Sequence, residues 1–289
     1  MGRGASLAAA AALVSAATTL NAEPLLSAAT AGLIDRFAAA VAPSLSAGRI
    51  VEAAIPAVGC PQDGPMGPIP PPDLPGSVRV IIPEESASRL AYYAASDTAG
   101  AGVVAPRGWG CFGVYGPAGE SLTVMPQGSD LPILDRGART GAGPVVIRDL
   151  LVGGTAARSL IARVSARVFP VARKLARPPA EPEAAEPAER AAEPWRMDRM
   201  VRLSDVVVGY LTPPESEGLG TIFGPAHGPG PVQGLAFLTG ASENLDDPSL
   251  VRLAVRLGDV DQGLYPSIAA HLIISVTSGV GDADPQSNR

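Results

Sequence analysis

Leu250-Val251-Arg252-Leu253-Ala254-Val255-Arg256-Leu257 carries branched apolar side chains at every second position, with Arg252 and Arg256 between them. A period of two belongs to an extended chain and not to a helix. The pattern predicts an antiparallel strand buried on one face, with both arginines on the wet face. Val206–Leu211, Thr221–Phe223, Val232–Leu238 and His271–Val276 are short, apolar and bounded by turn residues, so they also read as strands. Residues 195–278 are therefore expected to be mostly β, with a frayed polar tail over 279–289.

Working back towards the N-terminus, residues 178–194 hold five prolines and five glutamates and no large apolar side chain. Such a stretch buries too little surface to offset its ordering entropy, so it is expected to be an extended linker or insertion. Before it, residues 59–177 mix both periodicities. Val78–Ile82, Val103–Ala105 and Val145–Arg148 read as strands, and Cys111–Tyr115 with Ser121–Val124 as a hairpin. Pro83-Glu84-Glu85 reads as a helix start, continued by Leu90, Ala91 and Ala94 along one face. A second helix is expected from Thr155, with Leu160, Ile161, Val164 and Val168 inward and Pro170 as its stop. The Pro-rich run after Cys60 excludes helix and central strand. Residues 23–58 are Ala-rich, with Leu26, Leu33, Phe37 and Val41 at helical spacing, and are expected to be one or two short helices with low strand propensity.

These readings combine into an α+β fold: a mixed or antiparallel sheet with one or two packed helices, loop-rich, with one disulfide. The strands on either side of 178–194 are too few for a complete sandwich, which favours one joint fold over two domains. The 33 glycines, 30 prolines and 4% aromatics call for a core of Ala, Val, Leu and Ile.

Arg3, the apolar run Ala5–Ala17 and the small polar stretch to Ala22 have the three-part layout of a secretory signal, so residues 1–22 are expected to be removed and the product exported to the periplasm or medium. The run is shorter than the roughly 20 apolar residues of a bilayer span, which argues against a transmembrane anchor. In an oxidising compartment the only two cysteines, Cys60 and Cys111, are expected to pair. The net charge of −6 is concentrated between Glu181 and Glu193, leaving a body without the basic stripe that nucleic acid requires.

Cys60-Pro-Gln-Asp-Gly, Leu90-Ala-Tyr-Tyr and the run Gly102-Val-Val-Ala-Pro-Arg-Gly-Trp-Gly-Cys-Phe-Gly-Val-Tyr-Gly resemble a group of functionally uncharacterised exported bacterial proteins. The resemblance extends over roughly residues 60–257, through Ala162–Pro170 and Tyr210–Gly220, and implies no activity.

For chemistry, no nucleophile elbow, phosphate-cradling loop or cofactor fingerprint occurs, so no cofactor is expected. Two histidines, His227 and His271, make no zinc set; the pairs Asp246-Asp247 and Asp259-x-Asp261 lack the rest of a calcium loop. Cys111 as a nucleophile with either histidine lacks a thiolate-stabilising context. Glu215 and Glu217 are a weak candidate carboxylate pair for sugar hydrolysis. Arg107 and Trp109 on a Pro/Gly turn, with Tyr92 and Tyr93, form the candidate ligand surface, where a guanidinium beside an indole suits a carboxylate or a ring. The expected function is a non-catalytic binding or envelope-associated role towards a cell-envelope ligand or protein partner; the alternative is a secreted or periplasmic hydrolase with an unrecognised site.

Overall fold

The computed structural model describes residues 26–40, 49–97, 101–129, 141–152, 155–172, 195–240 and 248–279. The expected signal, the 178–194 segment, Asp246-Asp247 and nearly all of the expected tail lie outside them. The chain is α+β and is built in layers around two sheets. In chain order the elements are α1 (Ala28–Ala40), β1 (Ile50–Gly59), β2 (Gln62–Asp63), β3 (Ser77–Pro83), a 3₁₀ turn (Glu84–Arg89), β4 (Leu90–Ala94), β5 (Val103–Pro106), β6 (Gly110–Gly116), β7 (Gly119–Met125) and β8 (Val145–Leu151). There follow α2 (Thr155–Val168), β9 (Arg199–Ser204), β10 (Val207–Thr212), β11 (Val232–Thr239), β12 (Ser249–Arg256) and α3 (Tyr265–Gly279).

The large sheet has eight strands in the order β2-β6-β7-β8-β12-β11-β10-β9. Strands from before and after the acidic segment meet where β8 pairs antiparallel with β12, so both parts share one sheet. The small sheet, β3-β1-β4-β5, is mixed: β1 runs antiparallel to β3 and parallel to β4. Pro56, which has no N–H to give, sits in β1 at the end of the β3 pairing and just before the β4 pairing begins. The Cys60–Cys111 disulfide joins the end of β1 to β6, and so ties the small sheet to the large one.

Helix α3 lies between the sheets, against β3 and β5 on one side and β11 and β12 on the other, with α1 beside it. On β12 the odd positions Val251, Leu253 and Val255 enter this core together with Ile268, Leu272 and Ile273 of α3. The even face is covered too, by α2 and by the segment between β10 and β11, where Leu250 joins Ile161, Phe169, Leu219 and Leu238. Here the expectation of a wet face fails: Arg252 is 0% and Arg256 4% exposed.

Arg252 is tolerated inside because its five donors are met. It lies directly across from Asp149 on β8, and its Nε donates to Asp149 Oδ2 at 2.7 Å, with Nη2 ion-paired to the same oxygen. Nη1 donates to the carbonyls of Leu219 (2.8 Å) and Gly220 (3.2 Å), and Nη2 to that of Gly224 (3.1 Å). Its guanidinium lies over the Phe223 ring, 5.1 Å from the centroid. Arg256, one turn of the pleat away, donates to the carbonyls of Gly230, Ala142 and Ala226. The two arginines thus hold the 213–230 segment by its backbone. Tyr210 adds a crossing bond from β10 over β11 to Leu253 O at 2.6 Å, in a gap that only Gly234 provides: a Cβ there would strike both that oxygen and the Tyr210 ring.

Four sequence expectations are corrected. Ile50–Gly59 is a strand, its weak Ala-rich alternation concealing a partner on each side. Leu90–Ala94 is also a strand, because the helix-like start at Glu84 ends after a 3₁₀ run and the following residues are buried on both faces, which erases the period. His271–Val276 belongs to a helix, α3, apolar all round because it is enclosed by sheets, with Pro266 near its start. Thr221–Phe223 forms no strand and instead belongs to the segment that Arg252 grips.

Replacing Arg252 by Met leaves Asp149 buried without its cation and strips three carbonyls of their donor. Urea unfolding is expected to show a loss of about 3–5 kcal/mol. A loss under about 1 kcal/mol, typical of an exposed pair, would contradict the assignment.

Candidate functional site

The described cavity of ligand size, about 320 Å³, opens between the C-terminal end of α2 and the β9–β10 edge of the large sheet. Helix α2 places Ile161, Val164 and Val168 on the sheet, and Phe169 is fully buried beyond its last turn. The chain then returns at Trp195, which packs into the same cluster. Ala166 to Pro170 form one wall; Trp195 and Asp198, with Met200, Arg202 and Val208, form the other. Arg167, in the last helical turn where the dipole favours a cation, lies over the Trp195 ring at 4.7 Å.

Asp198 connects the pocket to the sheet interior. Its Oδ2 accepts the Leu219 N–H at 2.7 Å, while the carbonyl of that same residue is held by Arg252. Oδ1 lies against Gly218, where a Cβ would collide with it and with the Thr212 hydroxyl, so the turn requires glycine. Thr212 in turn accepts the Gly220 N–H at 3.0 Å. Burial raises the Asp198 pKa above the ordinary carboxylate value, opposed by the Leu219 amide and the Thr212 hydroxyl. Arg202 is exposed and forms no ion pair among the described residues.

The four residues of the predicted ligand surface are placed differently. Tyr92 and Tyr93 are consecutive on β4 and point to opposite faces. Tyr93 is buried; its hydroxyl donates to Pro106 O at 2.8 Å and accepts the Trp109 N–H at 3.1 Å, which pins the turn carrying Arg107. Burial raises the Tyr93 pKa. The Tyr92 hydroxyl accepts the Gly102 N–H at 3.0 Å. Trp109 packs half-buried against the main core, and Arg107 is exposed. None of the four lines the α2–β9 pocket.

Cys111 is bonded to Cys60 and offers no thiol. His227, Glu215 and Glu217 are exposed on the 213–230 segment and do not line the pocket. Asp261 receives Arg89 at 3.0 Å. The pocket residues Arg167, Trp195, Asp198 and Arg202 escaped sequence reasoning, although one signal was present: Trp195-Arg-Met-Asp-Arg-Met breaks abruptly from the Pro/Glu composition before it. The chain matches no family model, no curated protein and no solved structure.

His271 lies in α3, buried, with no hydrogen-bond partner on either ring nitrogen and the Tyr92 ring edge-on at 6.1 Å. Burial, and then the nearby Arg148, lower its pKa from 6.5 to about 4. Between those values the unfolded chain binds a proton that the folded chain refuses, so stability falls as pH drops from about 6.5 to about 4 and is not affected by this residue above that window. The full loss is about 3 kcal/mol. Urea unfolding across pH 4–7 is expected to show His271→Leu shedding that part of the acid sensitivity. Parallel pH profiles for the two proteins would refute it.

Proposed function

We propose that this chain is an exported, non-catalytic binding module whose ligand occupies the α2–β9 pocket. The observation that carries the reading is the lining itself: a stacked arginine and indole, a second arginine and an apolar floor converge on one concavity of ligand size. The fixed polar groups would orient a ligand, and the apolar wall would supply most of the affinity. The hydrolase alternative draws less support, since the cysteine it would use is in a disulfide, one histidine is enclosed in the core and the pocket's one carboxylate is engaged by a backbone amide.

Export is supported by the layout of residues 1–22 and by the Cys60–Cys111 pairing, which suits an oxidising compartment. Among the described residues no helix is long and apolar enough to cross a membrane. Ligand and product would therefore be met outside the cytoplasm, at or near the cell envelope.

Native mass spectrometry of protein recovered from periplasm and culture fluid tests these points together. The expected mass begins after Ala22 and gains two hydrogens on reduction. A panel of small organic compounds is expected to yield one-to-one adducts whose ligand mass is unchanged after incubation. Free thiols in the fresh protein, an intact N-terminus, or a ligand recovered as cleavage products would each overturn the corresponding part.

A further inference from the structure

Resting on the binding reading above, we infer that the ligand is a small organic anion: a carboxylate or similar charged head on an apolar body of about one ring. The charge of the lining points that way. Two arginines, Arg167 and Arg202, and one carboxylate, Asp198, border the cavity. Asp198 directs its acceptors at the turn behind it, Oδ2 to the Leu219 amide and Oδ1 against Gly218, so it is committed to the scaffold and not to a ligand cation. Burial also biases it towards its neutral form. What remains for the ligand is positive.

The apolar half of the ligand follows from the rest of the wall. Val168, Phe169, Met200 and Val208 line it around Trp195. Next to these lining residues in the chain, Met197 is 60% and Val171 39% exposed, large apolar side chains left to solvent where a ligand's body would cover them. Arg167 held flat on the indole combines a cation with a ring face, a surface that favours an anion attached to something planar over a fully hydrated one. The volume of about 320 Å³ is at the small end of ligand cavities, which suits a single ring with a short acidic arm and not a polymer or nucleotide.

The probes are 3-phenylpropionate, 3-phenylpropanol and 3-phenylpropylamine, one shape with negative, no and positive charge. Binding is read from the indole N–H resonance of Trp195, distinguished from that of Trp109 with a Trp109→Phe variant. Saturable shifts are expected with the carboxylate, at least about tenfold tighter than with the alcohol, and weakest with the amine. Arg202→Gln, a change at an exposed side chain, is expected to lower the carboxylate affinity by about tenfold and leave the alcohol where it was. An alcohol or amine that binds as well as the carboxylate, or a carboxylate indifferent to Arg202→Gln, would overturn the anion assignment while leaving the pocket a binding site. If none of the three moves the Trp195 resonance at millimolar concentration, the binding reading falls with it.

Discussion

A guanidinium with no exposure to water sits in the middle of an eight-stranded sheet, and the rest of the structure is arranged to make that possible. Removing both charges from water costs several kcal/mol per ion, repaid only when geometry is close and every donor is used. Arg252 meets the condition through Asp149 on the neighbouring strand and three carbonyls of the segment folded over it. The pair spans the junction of β8 and β12, where the parts of the chain before and after the acidic segment join. Through Leu219, whose carbonyl goes to Arg252 and whose amide goes to Asp198, the same pair sets the back wall of the pocket. Fold and candidate site are therefore coupled by one peptide unit at each end of one residue.

On the other face of that sheet the logic is apolar. Helix α3 is enclosed by two sheets and can be hydrophobic on all sides, and the disulfide fastens the small sheet on its far side. Closing a loop between residues 51 positions apart is worth about 4 kcal/mol on chain-entropy grounds. His271 is the exception inside this layer, a polar ring held neutral among apolar neighbours. It makes the core sensitive to acid and leaves it indifferent to alkali.

Much of the fold was legible from local pattern. Strands β3, β5, β8, β10, β11 and β12, the β6–β7 hairpin, helix α2 and the disulfide lie where alternation, turn residues and cysteine count place them. Failures fell where burial on every side removes the period: α3 read as a strand, β4 as a helix, and β1 as helical because alanine tells little about direction. Arg252 and Arg256 were placed on a wet face because charge is normally a mark of solvent, and their partners, three and three backbone carbonyls plus one aspartate, are invisible to any one-dimensional pattern. The site was less legible than the fold. Arg167 and Trp195 flank the Pro/Glu segment, 28 positions apart, and only packing of α2 on β10 brings them together. The Arg107–Trp109 turn looked richer in sequence but spends its neighbouring tyrosine hydroxyls on its own backbone.

The buried guanidinium is observable directly. Hydrogen exchange of the arginine side-chain Nε–H groups, followed by ¹⁵N-detected NMR in native buffer, separates Arg252 from surface arginines such as Arg107. The Arg252 Nε–H is expected to persist after Arg107 has fully exchanged, and to be lost only with global unfolding, because Asp149 holds it in the dry interior. Exchange at the rate of Arg107 would mean that water reaches the pair, and the coupling of sheet, segment and pocket through Arg252 would be wrong.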